Sequence, residues 1–446
     1  MVARMEPVVP KAEEVPSEPE PRPPGEPDGQ ATTRDLFAGE SAATRQDTRA
    51  PEGPAPQRAK KESRNLPWLV VLLALVVAGA GLVAYFLFLR DDVRSDQTTT
   101  TVSAPTTTVD STTPAMAEAL GGWTELTPAG AVPTARSGHA LAYDPGTSRA
   151  ILFGGSHLDT KLGDTWAFDP TTDAWTELHP GAVAPSARSY PEMVYDSASS
   201  QMILFGGDDA SGSRNDTWTF DPATVAWTEL SPTGIAPPSR FGHAMVYDPG
   251  SRQVLLFGGV NSSTTGLLND LWAYDPTDNT WTRLEPPGTP PVKRMWHSFV
   301  YDPGSQLVIL FGGYGGASGS TGANLDDLWA YDPAANSWAE LDRVGERPLA
   351  RQGHAMVFDS GSGNLLLYGG CDGLTGLGDV WSYDPAVNSW TQLEPTGDAP
   401  AGRDSHAITY DSAIQATILF GGYSFTGNFD FNDTWTYGAE PGGEGP

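Results

Sequence analysis

A Gly-Gly pair recurs six times through the last three quarters of the chain, each time closing a short apolar run, and this repeat constrains the fold more than any other feature. The pairs are Gly154-Gly155, Gly206-Gly207, Gly258-Gly259, Gly312-Gly313, Gly369-Gly370 and Gly421-Gly422. Successive pairs are 52, 52, 54, 57 and 52 residues apart. A period near 50 residues is typical of radial or solenoidal folds, in which each unit buries its apolar face against its neighbours.

Each repeat contains four short segments that we predict to be β-strands. In the first repeat they are HALAYD (139–144), ILFGG (151–155), DTWAFD (164–169) and WTEL (175–178). They are rich in β-branched and aromatic residues, and Asp-Pro pairs mark turns between them. Four strands per unit describe one blade of a β-propeller, so the sequence predicts an all-β fold with six blades.

The first and last strands of the repeat region predict a closed ring. The fourth-strand signature WTEL already occurs at 123–126, before any first strand, whereas the last repeat ends at a third strand, DTWTY (433–437). We therefore expect the N-terminal strand to complete the sixth blade, which removes the open sheet edge of a linear array.

Between about Trp123 and Tyr437 the chain resembles the kelch-repeat family of six-bladed β-propellers. The resemblance depends on the double glycine, on an aromatic residue two positions after the third-strand Trp, and on the fourth-strand Trp. It implies a propeller domain, which we predict to span residues 117–438, followed by a flexible tail at 439–446. The family includes protein-binding adaptors, sugar-processing enzymes and a copper oxidase, so the fold alone does not assign a function.

The segment before the repeats has a different composition. Residues 1–65 hold eleven prolines, many charges and one aromatic residue, Phe37, which predicts a disordered Pro/Glu-rich tail. Residues 66–89 form an uncharged run of 24 residues, long enough to span a bilayer as a single helix. Residues 90–116 are rich in Thr and Ser and are predicted to form a flexible stalk.

Flanking charges predict the orientation of this span. Arg58, Lys60, Lys61 and Arg64 precede it, whereas the arginines that follow are diluted by aspartates. The positive-inside rule then places the N-terminus in the cytoplasm and the propeller outside, as a single-pass protein of the plasma (cytoplasmic) membrane. The lipid bilayer is thus an expected partner, through residues 66–89.

The charge of the repeat region excludes one class of partner. Residues 117–446 contain 14 Lys and Arg against 39 Asp and Glu, a net charge of −25. Because there is no basic stripe, we do not expect nucleic acid to bind. The single cysteine, Cys371, excludes an intramolecular disulfide.

Two polar residue types recur in nearly every repeat, and we predict that both form structural hydrogen bonds. An Arg stands 18 residues before each first glycine and is matched by a recurring Asp, as with Arg136 and Asp164. Histidines stand three residues after five of these arginines, at 139, 243, 297, 354 and 406, whereas the second repeat has Pro191. They lie on different repeats, without a zinc-binding motif, so no metal or cofactor is predicted.

Candidate binding residues come from positions where the repeats differ. All length variation falls in the loop between the second and third strands. In the kelch adaptors of ubiquitin ligases, ligands contact the residue after the double glycine and the residues just after the Arg. Carried onto this chain, this implies a ligand-binding set of Tyr190, Phe241, Met295, Trp296, Tyr314, Tyr423, Asp208 and Asp404. Aromatic residues at a ring mouth suit protein hot spots or sugar stacking.

Three functions remain open at this point. The leading hypothesis is a membrane-anchored, extracytoplasmic propeller that binds a protein or glycan on one face. That face is formed by the loops between second and third strands (2–3 loops) and by the loops from each fourth strand to the next first strand (4–1 loops). The first alternative is a carbohydrate-active enzyme of the sugar isomerase or lyase type, with catalytic residues that the sequence does not identify. The second alternative is a structural scaffold. Binding is favoured over catalysis, because the variable positions are rich in aromatic residues, whereas paired catalytic acids would need positions in space that the sequence does not show.

Overall fold

The computed structural model describes residues 121–263, 266–316, 322–342 and 345–438. Within these ranges the chain forms six four-stranded antiparallel sheets, which we number in chain order. Sheet 1 contains Ala140–Asp144, Arg149–Phe153, Thr165–Asp169 and Ala174–Leu178; sheet 2 contains Glu192–Asp196, Gln201–Phe205, Thr217–Asp221 and Ala226–Leu230. Sheet 3 contains Ala244–Asp248, Gln253–Phe257, Leu271–Asp275 and Thr280–Leu284; sheet 4 contains Ser298–Asp302, Leu307–Phe311, Leu328–Asp332 and Ser337–Glu340. Sheet 5 contains Ala355–Asp359, Asn364–Tyr368, Val380–Asp384 and Ser389–Leu393; sheet 6 contains Ala407–Asp411, Ala416–Phe420, Thr434–Gly438 and Gly122–Leu126.

Two-residue strands form small hairpins beyond the second and third strands of most sheets. They are Ser156–His157 and Thr160–Lys161; Arg188–Ser189, Asp208–Asp209 and Gly212–Ser213; Val260–Asn261 and Gly266–Leu267; Arg294–Met295, Tyr314–Gly315 and Ala323–Asn324; and Tyr423–Ser424 and Phe429–Asp430. Most of them lie in the loops between second and third strands, in which the repeats differ in length, whereas Arg188–Ser189 and Arg294–Met295 precede the first strands of sheets 2 and 4.

The core lies between neighbouring sheets. The second strand of each sheet is the most buried, because both of its faces are covered; Ile151, Leu152 and Phe153 are at most 1% exposed. The fourth strand is less covered: Trp175 is buried, whereas Thr176 and Glu177 face solvent. Phe153 of sheet 1 packs with Leu204 of sheet 2 in one such core cluster. Continuous apolar runs therefore mark the second strands, and a single buried Trp marks fourth strands such as Ala174–Leu178.

The double glycines connect each sheet to the next. Gly155 N donates to the carbonyl of Arg188 in sheet 2 at 2.8 Å. A Cβ on Gly154 would lie 2.8 Å from that same oxygen, so any side chain there would prevent the approach. The equivalent bond occurs at every junction, and its last member joins Gly422 of sheet 6 to Arg136 of sheet 1 at 2.9 Å. The first strands of the sheets also contact one another in cyclic order.

The N-terminal strand completes sheet 6, as the sequence predicted. Gly122–Leu126 pairs antiparallel with Thr434–Gly438, with Gly122 opposite Gly438 and Leu126 opposite Thr434. Trp123 is 5% exposed and packs on Tyr368 of sheet 5, with ring centroids 4.9 Å apart. The N-terminal strand Gly122–Leu126 is therefore part of the core as well as of the hydrogen-bond ladder of sheet 6.

The predicted all-β class is confirmed for the described residues, which contain no α-helix. A search of these same ranges for an apolar helix long enough to cross a bilayer found none. The predicted tail (1–65), transmembrane span (66–89), stalk (90–116) and C-terminal tail (439–446) lie outside the described residues.

Candidate functional site

Two sets of loops lie at the same end of the sheets, which we call the loop face. One set joins second and third strands, and the other joins each fourth strand to the next sheet. The two sequence positions chosen as candidate contacts are backbone partners in all six repeats. The pairs are Ser137 with Ser156, Ser189 with Asp208, Phe241 with Val260, Met295 with Tyr314, Gln352 with Cys371, and Asp404 with Tyr423.

The recurring arginines hold this end of each sheet together. Arg240 is buried, and its two Nη atoms donate to the two carboxyl oxygens of Asp270 at 2.8 Å each. Nη1 also donates to the carbonyl of Gly258 at 2.8 Å. Burial alone would raise the pKa of Asp270, but the hydrogen bonds and charge of Arg240 outweigh it and hold the pKa below its usual value. All six arginines are 0% exposed, so the predicted structural role is confirmed.

The recurring histidines pack against the preceding sheet. His139 meets Phe420 edge to face, with ring centroids 5.5 Å apart, and His243 meets Phe205 in the same way at 5.6 Å. Burial, followed by the nearby charge of Arg136, lowers the pKa of His139 to about 3. Burial and Arg351 likewise lower the pKa of His354 to about 3. These imidazoles are therefore neutral parts of the core. Nε2 of His354 lies 3.1 Å from Oγ of Ser298, whereas both ring nitrogens of His139 and His243 have no hydrogen-bond partner among the described residues, so the predicted hydrogen bonding is not common to all five histidines.

Five of the eight candidate residues form one cluster on sheets 2 to 4. Phe241 and Met295 are buried together with Val260, and Tyr190, Trp296 and Tyr314 are partly buried against them. The ring centroid of Tyr190 lies 6.1 Å from that of Phe241 and 5.7 Å from that of Trp296. The cluster thus has a buried base, Phe241 and Met295, and a rim of aromatic residues that reaches the surface.

The other three candidates lie outside this cluster. Tyr423 stacks edge to face on Phe425 at 5.4 Å and exchanges two backbone hydrogen bonds with Asp404. Asp208 is buried and forms an ion pair with Lys161 of sheet 1. Asp208 therefore joins two neighbouring sheets, and Asp404 and Tyr423 lie beside each other on sheet 6.

A backbone ring surrounds the axis at the loop face, which we call the mouth. It passes through the second residue after each Arg: Gly138, Tyr190, Gly242, Trp296, Gly353 and Ser405. Their N–H groups donate to the preceding member at five junctions, from Tyr190 to Gly138 at 2.6 Å, Trp296 to Gly242 at 2.8 Å, Gly353 to Trp296 at 3.0 Å, Ser405 to Gly353 at 2.8 Å, and Gly138 to Ser405 at 2.8 Å. All six have positive φ, between 52° and 63°. Glycine in three repeats was the available sequence signal.

Sequence reasoning missed two further features. Exposed apolar side chains occur in the 2–3 loops of sheets 5, 6 and 1, where Leu374 is 84%, Phe429 46% and Leu158 47% exposed. The N–H of Leu158 donates to Asp430 at 2.6 Å, which places the last two beside each other. Four aromatic residues within 423–431 could have indicated this pair of exposed apolar side chains, Leu158 and Phe429, from the sequence.

The second feature is Glu192, the first residue of the first strand of sheet 2. The other five sheets have a small residue there: Ala140, Ala244, Ser298, Ala355 and Ala407. Burial raises the pKa of Glu192 to about 8. No group of three or more His, Cys, Asp or Glu residues suited to a metal occurs in the described ranges.

Comparison with known proteins gives a family match over the region of the six sheets. The sequence matches the KLHDC2/KLHL20/DRC7 Kelch-repeats domain over residues 115–313 and 305–441. Acyl-CoA-binding domain-containing protein 4 of Arabidopsis thaliana is 26% identical over 322 residues, covering 70% of this chain and 46% of that protein. Kelch domain-containing protein 10 of Homo sapiens is 27% identical over 302 residues, covering 62% of this chain and 64% of that protein. The chain spans less than two thirds of the length of these curated relatives.

Proposed function

This chain belongs to the kelch-repeat family, and we propose that its six sheets are the blades of one closed propeller whose loop face binds a protein partner. The cyclic contacts between first strands and the bond from Gly422 to Arg136 support closure. Protein binding is common among kelch domains, and the loop face carries the variation between repeats that recognition requires.

The observation that carries the binding proposal is the aromatic rim of the cluster on sheets 2 to 4. Tyr190, Trp296 and Tyr314 are held by the buried base of Phe241 and Met295, so they are ordered before a partner arrives. Rigid, partly exposed aromatic residues lose little conformational entropy on binding and are enriched among hot spots. Asp404 and Tyr423, which lie outside this cluster beside sheet 6, are further candidate contacts on the loop face, whereas Asp208 is buried in its ion pair with Lys161.

We also propose that residues 66–89 anchor the protein in the plasma membrane, with the propeller outside. The uncharged run of 24 residues, preceded by Arg58, Lys60, Lys61 and Arg64, supports this proposal. Gly122 pairs with Gly438, and Gly438 pairs with Ala416, which follows the turn between the first two strands of sheet 6. The chain therefore enters the propeller at the face opposite the 2–3 and 4–1 loops.

Selection of peptides tests the binding proposal. The full-length chain is immobilised and challenged with a random-sequence peptide display library. We expect peptides whose binding is weakened in Tyr314→Ala and Trp296→Gly variants, and unchanged in a Val387→Ala variant; Val387 is 68% exposed and lies in the turn between third and fourth strands of sheet 5, on the opposite face. Failure to select any peptide, or binding that is insensitive to both rim variants, would contradict the proposal.

Limited proteolysis of intact cells, or of spheroplasts where a wall intervenes, tests the topology. Protease should cut within residues 90–116 and release a compact fragment that contains the propeller. If residues 1–65 are clipped while the propeller stays protected, the orientation is the reverse of the one proposed.

A further inference from the structure

Three side chains from alternate sheets cover the glycines of the mouth. A Cβ on Gly138 would lie 2.8 Å from the Tyr190 ring, and a Cβ on Gly242 would lie 2.9 Å from Nε1 of Trp296. A Cβ on Gly353 would lie 3.2 Å from Cβ of Asp404. The side chains of sheets 2, 4 and 6 therefore cover the glycines of sheets 1, 3 and 5.

Two of these side chains lie close together, and the third belongs to the residue before Ser405. The rings of Tyr190 and Trp296 lie 5.7 Å apart across the intervening sheet 3. The hydroxyl of Tyr190 lies 3.4 Å from Oγ of Ser405, which follows Asp404 in the chain. Two aromatic rings are therefore neighbours at the mouth, and Asp404, which is 9% exposed, directly precedes the residue that faces the Tyr190 hydroxyl.

The backbone at both aromatic residues is strained. Tyr190 and Trp296 have φ of 52° and 55°, in the left-handed region that costs an L-residue with a side chain roughly 1–2 kcal/mol. Glycine occupies the same backbone position in sheets 1, 3 and 5 without that cost. Because glycine fits the ring, the geometry of the ring does not require aromatic residues. Strain retained at a partly exposed position is a feature of functional sites.

The two aromatic rings and the acidic side chain of Asp404 favour a positively charged ligand. An aromatic face attracts a cation through its quadrupole, and an adjacent acidic side chain adds to that attraction. The region 117–446 has a net charge of −25, which raises the local concentration of cations and repels anions. A positively charged group fits both the local and the overall field.

We propose that Tyr190, Trp296 and Asp404 form a site for a positively charged side chain, a lysine or arginine of the protein partner. This inference rests on the proposed function, because it assigns the class of residue that the loop face recognises. In this site the aromatic rings contact the apolar stem of the ligand side chain, and a ring face meets its charged end. Asp404 lies on the side of sheet 6.

Two small probes that differ by one charged group test the site on the unmodified full-length chain. The first is Nα-acetyl-lysine methylamide, which keeps its side-chain ammonium group. The second is Nα-acetyl-norleucine methylamide, which shares the apolar stem but lacks the ammonium group. The readout is the indole N–H resonance of Trp296, assigned by its loss in Trp296→Gly. We expect the lysine probe to bind at least about fivefold more tightly than the norleucine probe, and more weakly as salt concentration rises. Equal affinity for the two probes would overturn the proposal.

Substitutions test the residues independently of that comparison. Asp404→Asn and Tyr190→Gly should each weaken binding of the lysine probe by about fivefold or more. Asp372→Asn, a change at an exposed acidic residue of the sheet 5 loop, is the matched control and should leave the affinity unchanged. The proposal fails if both mouth variants bind the lysine probe as the unmodified chain does.

The outcome for the proposed function is separate. If library peptides bind the rim without enrichment in Lys or Arg and the lysine probe does not bind, the binding proposal stands and the cation site is wrong. If the lysine probe binds but no peptide is selected, the cation site stands and protein binding is wrong.

Discussion

Trp123, in the first described strand, packs against Tyr437, in the last, with ring centroids 5.1 Å apart. The two residues are also direct partners in the strand pairing. The beginning and the end of the propeller are therefore held by side-chain packing and by backbone hydrogen bonds at the same position. This contact closes sheet 6.

Removing the closing strand should destabilise the whole propeller. A chain that lacks residues 117–127 loses the fourth strand of sheet 6 and exposes the edge of Thr434–Gly438, which favours aggregation. Trp123→Ala should lower the free energy of unfolding by about 3–5 kcal/mol, because a buried aromatic contact is lost. Thermal and urea unfolding measure both changes. Thr124→Ala, at an exposed position of the same strand, is the control. An unchanged melting temperature in the truncated chain would refute closure.

The buried arginine pairs should stabilise the fold without contributing to binding. Arg240→Ala leaves Asp270 without its bidentate partner and should cost about 3–5 kcal/mol of unfolding free energy. The double variant Arg240→Met/Asp270→Leu removes both charges and should be less destabilised than the single variant. Equilibrium urea unfolding of both variants measures this. A double variant no more stable than Arg240→Ala would show that the unpaired carboxyl is not the cause.

The strained backbone at Trp296 predicts an unusual order of substitutions. Both Trp296→Gly and Trp296→Ala lose the indole, but alanine must still adopt a φ near 55°. We expect the glycine variant to be more stable by about 1 kcal/mol, measured by urea unfolding. Trp166, in a regular strand of sheet 1, supplies the opposite control, because there alanine should be the better replacement. If alanine were the more stable replacement at Trp296 as well as at Trp166, strain at the mouth would be contradicted.

The buried histidines predict acid sensitivity. In the unfolded chain they bind protons below about pH 6.5, whereas folded His139 and His354 remain neutral until about pH 3. Since the unfolded state then binds more protons, stability should fall as pH decreases from 6.5 toward 3, by at most about 1.4 kcal/mol per pH unit for each histidine. The measurement is the unfolding free energy at several pH values. His139→Gln should flatten this dependence, and exposed His179→Gln should leave it as in the unmodified chain.

Glu192 predicts the opposite dependence at higher pH. Its pKa is raised from 4.5 to about 8 by burial, so the folded state holds a proton that the unfolded state releases between these values. Stability should therefore fall as pH rises from 4.5 to 8. Glu192→Gln should raise the melting temperature at pH 8 more than at pH 5, because the amide resembles the protonated carboxyl. Gln201→Glu, at a half-buried position of the neighbouring strand, is a control for the general effect of charge. Equal shifts at both pH values for Glu192→Gln would contradict the assigned pKa.

Much of the site's framework could be predicted from the sequence. The Gly-Gly period, the strand alternation and the isolated WTEL at 123–126 predicted the strands and the partner of the first strand, because these signals depend on local backbone conformation and on burial period. The recurrence of an arginine in all six repeats, each matched by an aspartate, likewise predicted a structural role for Arg240. The pairing of the two variable positions, such as Met295 with Tyr314, agrees with the shared face inferred from the family resemblance.

Only the tertiary structure decided which variable residues reach the surface. Phe241 and Met295 are 1% and 0% exposed because Tyr190, Trp296 and Tyr314 cover them. The contact between Tyr190 and Trp296 crosses sheet 3, and it depends on the small Gly242 there and on left-handed backbone at both aromatic residues. Local sequence determined the strands and their order, since strand formation follows from neighbouring residues. The mouth follows from ring closure, which brings together side chains that no local pattern relates.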